Sequence, residues 1–403
     1  MRLAAGPRPG AVRTVFRMLG GATAALGAMA ATTGAAALAI AASAARAVVT
    51  PPGERPEEVV LHGVDRASRT VTVSSTPETE LPGRYSLWFD RGRGHARVGT
   101  IVGRGPGVVM RELLSVERGQ LESATHARWG AWYYLTPADL GVPYEEVAVA
   151  TELGAAPAWL VAPPRPSTRW IIQVHGRGVT RAEGLRVVPT ARDGGWMTLL
   201  ISYRNDGDAP SSPDGRYGLG DDEWRDVAAA IRFARDRGAE QIVLMGWSMG
   251  GATVLQTVLR ASEARFVDGV ILESAAVDWR AVLARQAQRR GLPRAIQTLA
   301  TRVLTEPWGV RLTGRAAPID LDRLDATTRA AELGVPLLVL HSDDDPDVPI
   351  EPILRLVSAA PGDVHLERFT VAGHTRLWNY DPRRFERAIA TWLSRLPTPS
   401  GRS

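Results

Sequence analysis

Apolar residues follow two different rhythms along the chain. Between residues 55 and about 140, short stretches such as "EEVVLHGV", "RTVTVSS", "RYSLWF", "ARVGTIVG", "GVVMREL" and "ARWGAWYYL" are rich in Val, Thr, Tyr and Trp. Gly and Pro turns separate them, which predicts a compact all-β module. It is too short for a propeller, whose blades take about 40–50 residues each and come in fours or more. From about residue 144 the rhythm becomes strand, helix, strand. The apolar runs "EEVAVAT", "AWLVAP", "RWIIQVHG", "WMTLLISY", "QIVLMGW", "GVILES", "PLLVLHS" and "HLERFTV" read as strands. Helical stretches fall between them, around Glu183–Arg192, in "DDEWRDVAAAIRFARDRG", near Ile350–Ala359 and over Pro382–Leu396. In the second of these, Trp224, Val227, Ala228 and Ile231 share one face and Gly238 supplies the stop. Continuous apolar strands alternating with helices predict a mostly parallel sheet covered on both faces.

A third pattern occupies the amino terminus. No charge lies between Met18 and Ala45, after a leader carrying Arg2, Arg8, Arg13 and Arg17. This stretch is longer than a bilayer-spanning helix requires. Arg precedes it and Glu54, Glu57 and Glu58 follow it, the positive-inside asymmetry. A single-pass signal anchor with everything after about residue 50 outside the cytoplasm is the expectation. The small residues around Ala45-Arg46-Ala47 leave a cleaved secretory signal as the alternative. The expected organisation is therefore 1–50 leader or anchor, 51–140 β-rich module, 141–397 catalytic domain and 398–403 tail.

Composition narrows the chemistry. The 403 residues include no Cys, which removes disulfides, thiolate metal sites and cysteine nucleophiles. All 48 basic residues are Arg, so a lysine phosphate loop and a lysine Schiff base are absent too. The net charge of +5 is accounted for by Arg2, Arg8, Arg13, Arg17 and Arg46, and the rest of the chain is neutral. Nothing here favours a nucleic-acid partner.

One short stretch carries a candidate nucleophile. In "MGWSMGGATV", Ser248 lies between Gly246 and Gly250, directly after a predicted strand and before a predicted helix. A serine on such a turn is lifted above the carboxyl ends of the strands, and only small neighbours fit the bend. It needs a base, and the base needs an orienting acid. His374, in "VAGHTRLW", sits in the loop after the last predicted strand. His62, His95 and His126 fall in the β module, His365 in a strand, and His341 at a strand end beside "SDDDPDVP". That acidic loop offers Asp343, Asp344, Asp345 and Asp347. A calcium-loop frame fails there, because Val348 and Leu354 stand where it needs Gly and Glu.

These motifs, in the order Ser248, Asp345, His374, resemble the α/β-hydrolase superfamily over roughly residues 144–396. "HSDDDPDVP" resembles its H-G-x-x-D-x-x-V-P loop, which implies Asp345 as the acid, with Glu273 at the end of "GVILES" as fallback. "VHGRG" resembles the turn after the family's third strand and implies an oxyanion hole from the backbone N–H groups of Arg177 and Met249. The small β module before the catalytic domain looks most like the prolyl-oligopeptidase and serine-aminopeptidase-like branch, although it is far shorter than a propeller. The fold expected is thus an α/β-hydrolase with a helical lid at about 278–324, a β-rich module and an amino-terminal hydrophobic helix. The function expected is hydrolysis of a carboxylic ester or related small acyl substrate through an acyl-enzyme, with no metal or organic cofactor. A peptidase of the same fold and a non-catalytic binding protein are the alternatives. Arg177 and Arg204, at strand ends, are candidates for favouring an anionic substrate.

Overall fold

The computed structural model describes residues 34–397. The uncharged segment from Met18 to residue 33, and the tail 398–403, lie outside the described residues. What is described begins with a helix, α1, over 34–49. Ala41, Ala45 and Val49 are its buried positions. They recur every fourth residue and so form one stripe, and small side chains let the helix lie close against the catalytic domain. Among the described residues no helix is long and apolar enough to cross a membrane. The end of the uncharged segment expected to enter a membrane, residues 34–45, is thus part of a helix docked on the catalytic domain, a correction to that expectation.

Six strands follow: β1 (Val59–Asp65), β2 (Thr70–Ser74), β3 (Tyr85–Phe89), β4 (Gly94–Gly105), β5 (Val108–Arg118) and β6 (His126–Gly130). All pair antiparallel, and they close into a barrel in the order β1-β2-β5-β4-β3-β6. Val71, Val73, Leu87, Val98, Val109 and Trp129 point into its core. Arg111 is buried there as well. Its guanidinium donates to the carbonyl oxygens of Gly99, Thr79, Leu81 and Gly83 and lies near the rings of Tyr85 and Trp129. The strand expected in "ARWGAWYYL" stops at Gly130. Tyr133 and Tyr134 leave the barrel because their apolar partner is Trp378 of the catalytic domain, at ring distances of 5.4 and 5.9 Å.

The second sheet has eight strands in the order β14-β13-β12-β11-β9-β10-β8-β7. Antiparallel strands β7 (Glu145–Thr151) and β8 (Gly154–Val161) form one edge. The parallel body comprises β9 (Arg169–Val174), β10 (Met197–Ile201), β11 (Gln241–Trp247), β12 (Val267–Glu273), β13 (Leu337–Ser342) and β14 (Val364–Phe369). Strand β11 is buried along its whole length, as a central strand covered on both faces must be. Helices α2 (Val188–Asp193), α3 (Trp224–Asp236), α4 (Met249–Arg260), α8 (Ile350–Ala359), α9 (Leu377–Tyr380) and α10 (Pro382–Arg395) pack around the sheet. Between β12 and β13 the chain makes α5 (Trp279–Arg289), α6 (Arg294–Thr305) and α7 (Val310–Thr313). An apolar groove of about 220 Å³ separates α5 and α6 from α1, with Ala44, Ala45 and Val48 on one side and Leu283, Ala287 and Leu304 on the other.

Candidate active site

Ser248 stands between β11 and α4 with φ 51° and ψ −114°. This left-handed backbone is costly for a residue with a side chain. The two glycines beside it are required by space. A Cβ on Gly246 would lie 2.5 Å from the Gly250 carbonyl oxygen, and one on Gly250 would lie 2.1 Å from that of Val174. The turn is thereby pressed against the end of β9, and the first N–H groups of α4, Met249 foremost, have no carbonyl within the helix to bond.

His374 reaches over from the loop after β14. Its Nε2 lies 2.9 Å from Ser248 Oγ, and its Nδ1 lies 2.8 Å from Asp345 Oδ2. The other oxygen of Asp345 accepts the backbone N–H groups of Asp347 and Val348 at 2.8 and 2.9 Å. That arrangement fixes the carboxylate and turns its second oxygen to the histidine. Burial alone would lower the His374 pKa and is the largest influence on it. The Asp345 carboxylate, by charge and hydrogen bond, and then Asp347 and Glu183, outweigh burial and carry the imidazole up to about 9. Asp345 moves the opposite way: burial would raise it, and His374 holds it below the usual carboxylate range. His341 does not approach Ser248. It is buried, and its Nε2–H donates to the Val348 carbonyl at 3.1 Å, which steadies the acid loop from below.

Glu273 does not reach His374. It is buried at the end of β12, accepts the Leu377 N–H at 3.4 Å, and lies 4.0 Å from Arg186. Burial pushes its carboxyl up to about 7, against the opposing pull of Arg186. Of the two candidate acids, only Asp345 is brought to the imidazole.

The turn after β9 is held from every side. Glu183 accepts the Gly176 N–H at 2.7 Å, and the Tyr203 hydroxyl meets the carbonyl oxygens of His175 and Gly176 at 3.1 and 2.8 Å. The Gly178 N–H donates to the Tyr217 hydroxyl at 3.2 Å, and Arg55 donates to the Gly178 carbonyl at 2.6 Å. Arg177 sits in the middle of this turn. Its side chain points away from the cleft and donates to the Ala47 and Val48 carbonyl oxygens at 3.3 Å each. It thus supplies a cation and donors at the carboxyl end of α1, where the helix dipole and the unpaired carbonyls favour them. Arg204 is spent as well, clamped by Asp226 at 2.8 and 2.9 Å and by Glu152 at 2.8 Å. Neither arginine is available to an anionic substrate, a correction to the expectation from their position at strand ends.

Sequence reasoning missed the support behind the turn. Arg186 donates to the Thr375 carbonyl at 2.7 Å and to Asn379 Oδ1 at 3.0 Å, and its second nitrogen lies 3.5 Å from Glu183. Asn379 in turn donates to the Arg84 and Ala131 carbonyl oxygens of the β module at 2.8 and 3.0 Å. A single buried network therefore ties the Gly176 turn, the histidine loop and the barrel together. The only trace of it in the sequence is two opposite charges three apart in "RAEGLR", which reads equally well as a solvated helix face.

Residues 171–388 match the Alpha/beta hydrolase family, over more than half of the chain. The chain belongs to that family. It is a hydrolytic enzyme. Residues 60–130, the barrel, match a Domain of unknown function (DUF8805). No curated protein matches the chain. Among solved structures, the esterase Pf2001 of Pyrococcus furiosus aligns at 19% identity with a TM-score of 0.51, over 65% of this chain and 95% of that one. A Thermogutta terrifontis esterase aligns at 19% identity and a TM-score of 0.44, over 64% of this chain and 100% of that one. At such identity the likeness to the Pyrococcus furiosus esterase shows a shared fold. The prolyl-oligopeptidase-like branch has no support among these structures.

Proposed function

We propose that the protein is a serine esterase acting through an acyl-enzyme, with Ser248 as nucleophile, His374 as general base and acid, and Asp345 as its orienting partner. The observation that carries the reading is the unbroken chain of short contacts from Ser248 Oγ through both imidazole nitrogens to a buried carboxylate. Ser248 Oγ attacks the ester carbonyl carbon while its proton passes to His374 Nε2. The oxyanion formed is held by the backbone N–H groups of Arg177 and Met249. The carbon–oxygen bond to the alcohol breaks as His374 returns the proton to the leaving oxygen. Water then adds to the acyl-enzyme by the same exchange, releasing the acid and restoring the serine. Helices α5 to α7 act as a lid that shapes the acyl side of the cleft. The fold's use by an esterase in Pyrococcus furiosus agrees with this assignment. The arginine-bearing, acid-free amino terminus supports export, with a signal anchor or a cleaved signal within residues 1–50 and the catalytic domain outside the cytoplasm.

Labelling of the full chain with a fluorophosphonate probe tests the catalytic reading. Wild type is expected to label at one site, and Ser248→Ala to lose the label. p-Nitrophenyl esters should give a burst in wild type alone. A folded wild type that neither labels nor hydrolyses any ester would overturn the proposal.

A further inference from the structure

The barrel and the segment leading into it each turn a guanidinium group into the cleft that His374 lines. The cleft is a cavity of about 280 Å³ between the barrel's last strand and the loops bearing the catalytic residues. Four arginines border it, and two of them are committed: Arg289 pairs with Asp347 at 2.6 Å and Arg376 with Glu78 at 2.7 Å. Glu183, also on the wall, is engaged by Arg186 and by the Gly176 N–H. Arg55 and Arg128 remain, opposed by Glu58 on the wall and by the neighbouring Glu57. Arg55 gives one nitrogen to the Gly178 carbonyl.

Arg128 is the anomaly. It is half-buried on β6 with its guanidinium over the Trp88 ring, 5.4 Å from the centroid. Among the described residues that guanidinium makes no ion pair and no hydrogen bond. A guanidinium carries five N–H donors and no acceptor, and withdrawing such a charge from water without a partner is costly. Arg111 of the same barrel shows the ordinary solution, with every bond going to a carbonyl oxygen. Burial pushes Arg128 down to about 10, and Arg55 and Arg376 add to that push while Glu58 and Glu57 oppose it. Trp88 braces the flat face of the group and leaves its N–H edges for a ligand.

We propose that Arg128, seconded by Arg55, is a specificity-determining anion subsite that binds a carboxylate on the acyl part of the substrate. The inference rests on the esterase reading of the same cleft. It gives the barrel a part in substrate choice and makes the preferred substrate a half-ester of a dicarboxylic acid.

The test compares kcat/KM of the full chain for p-nitrophenyl hydrogen glutarate and p-nitrophenyl pentanoate, which have acyl chains of equal length. Wild type should favour the glutarate ester. In Arg128→Met the glutarate-to-pentanoate ratio should drop about 10- to 100-fold, mainly through KM, as expected for loss of one charge-assisted contact. Arg128→Lys should recover part of it, and Arg55→Gln should lose a smaller factor. If Arg128→Met does not fold, the Arg55→Gln ratio and the fall of the wild-type ratio in 0.5 M salt decide instead. A ratio unchanged by these substitutions would sink the subsite while leaving the esterase standing. Absence of both turnover and Ser248 labelling would mean that the esterase reading has failed. If Ser248 labels but neither ester turns over, protection of the label by glutarate and not by pentanoate replaces the ratio.

Discussion

Replacing Asp345 by Asn tests the catalytic arrangement at its most informative point. The Asn carbonyl oxygen can keep the Asp347 and Val348 N–H groups that Oδ1 accepts now. Its NH₂ group would then face His374 Nδ1, a donor where the imidazole has a carboxylate today. The ring is expected to answer by moving its proton to Nε2, so that it presents a donor to Ser248 and can no longer take the serine's proton. The charge that lifts His374 disappears in the same step. With burial the largest influence and acting downward, its pKa should fall from about 9 to below the ordinary 6.5. The difference corresponds to on the order of 3 kcal/mol of lost imidazolium stabilisation. Wild-type kcat/KM should rise with pH along a limb near 9, because only the neutral ring is a base. In Asp345→Asn that limb should vanish, and activity should fall about 10³- to 10⁴-fold. The assay is a pH profile of ester hydrolysis, beside the imidazole proton signals in the NMR spectrum. A variant that keeps the limb near 9 and loses less than tenfold would refute the reasoning and point back to Glu273.

Two further outcomes follow from other parts of the molecule. A chain starting at Pro51 lacks α1 and should melt about 5–10 °C lower than the full chain, since the burial of Ala41, Ala45 and Val49 is lost. Its kcat/KM should fall too, because the Arg177 side chain loses both carbonyl partners; equal melting and equal rates in calorimetry and ester assays would show the helix to be a passenger. Stability should decline from pH 7 to pH 9. Burial pushes Asp206 and Glu273 up to about 7, and His374 stands at about 9, whereas His95 and His175, pushed down to about 4 by burial, oppose them only below about 6.5, so the folded state holds more protons than the unfolded chain over this window. The carboxyl contributions are present below pH 4 and fade through 7, and that of His374 is present below 6.5 and fades through 9; a thermal-shift scan showing Tm rising over the window would contradict this.

The sequence was most legible where local geometry and chemistry coincide. Gly246 and Gly250 flag the Ser248 turn because nothing larger fits between β9 and β11, and the apolar runs of the parallel strands announce their own burial. His374 and Asp345 were reachable because each sits in a loop directly after a strand, where the fold must place such groups. The hidden parts depend on partners far away in the chain. Arg186 serves the site only through Asn379, and Arg128 faces the cleft only because a barrel closes between β1 and β6. Helix α1 was masked by its composition, since an alanine stripe that packs on protein and an alanine-rich segment that enters a membrane look alike until the docking surface is known.

The barrel's attachment to the loop of the base separates two kinds of inheritance. Ser248, Asp345 and His374 are encoded in the last two-fifths of the chain, whereas Arg128 to Trp132, which wall the same cleft, are encoded more than a hundred residues earlier. On the proposed reading, variation in the barrel can redraw what the cleft accepts without disturbing Ser248, Asp345 and His374. The two segments cannot drift apart in space, because Asn379 fastens one to the other. Exchanging barrels between relatives of this architecture is thus a route to altered selectivity with the hydrolytic apparatus left whole.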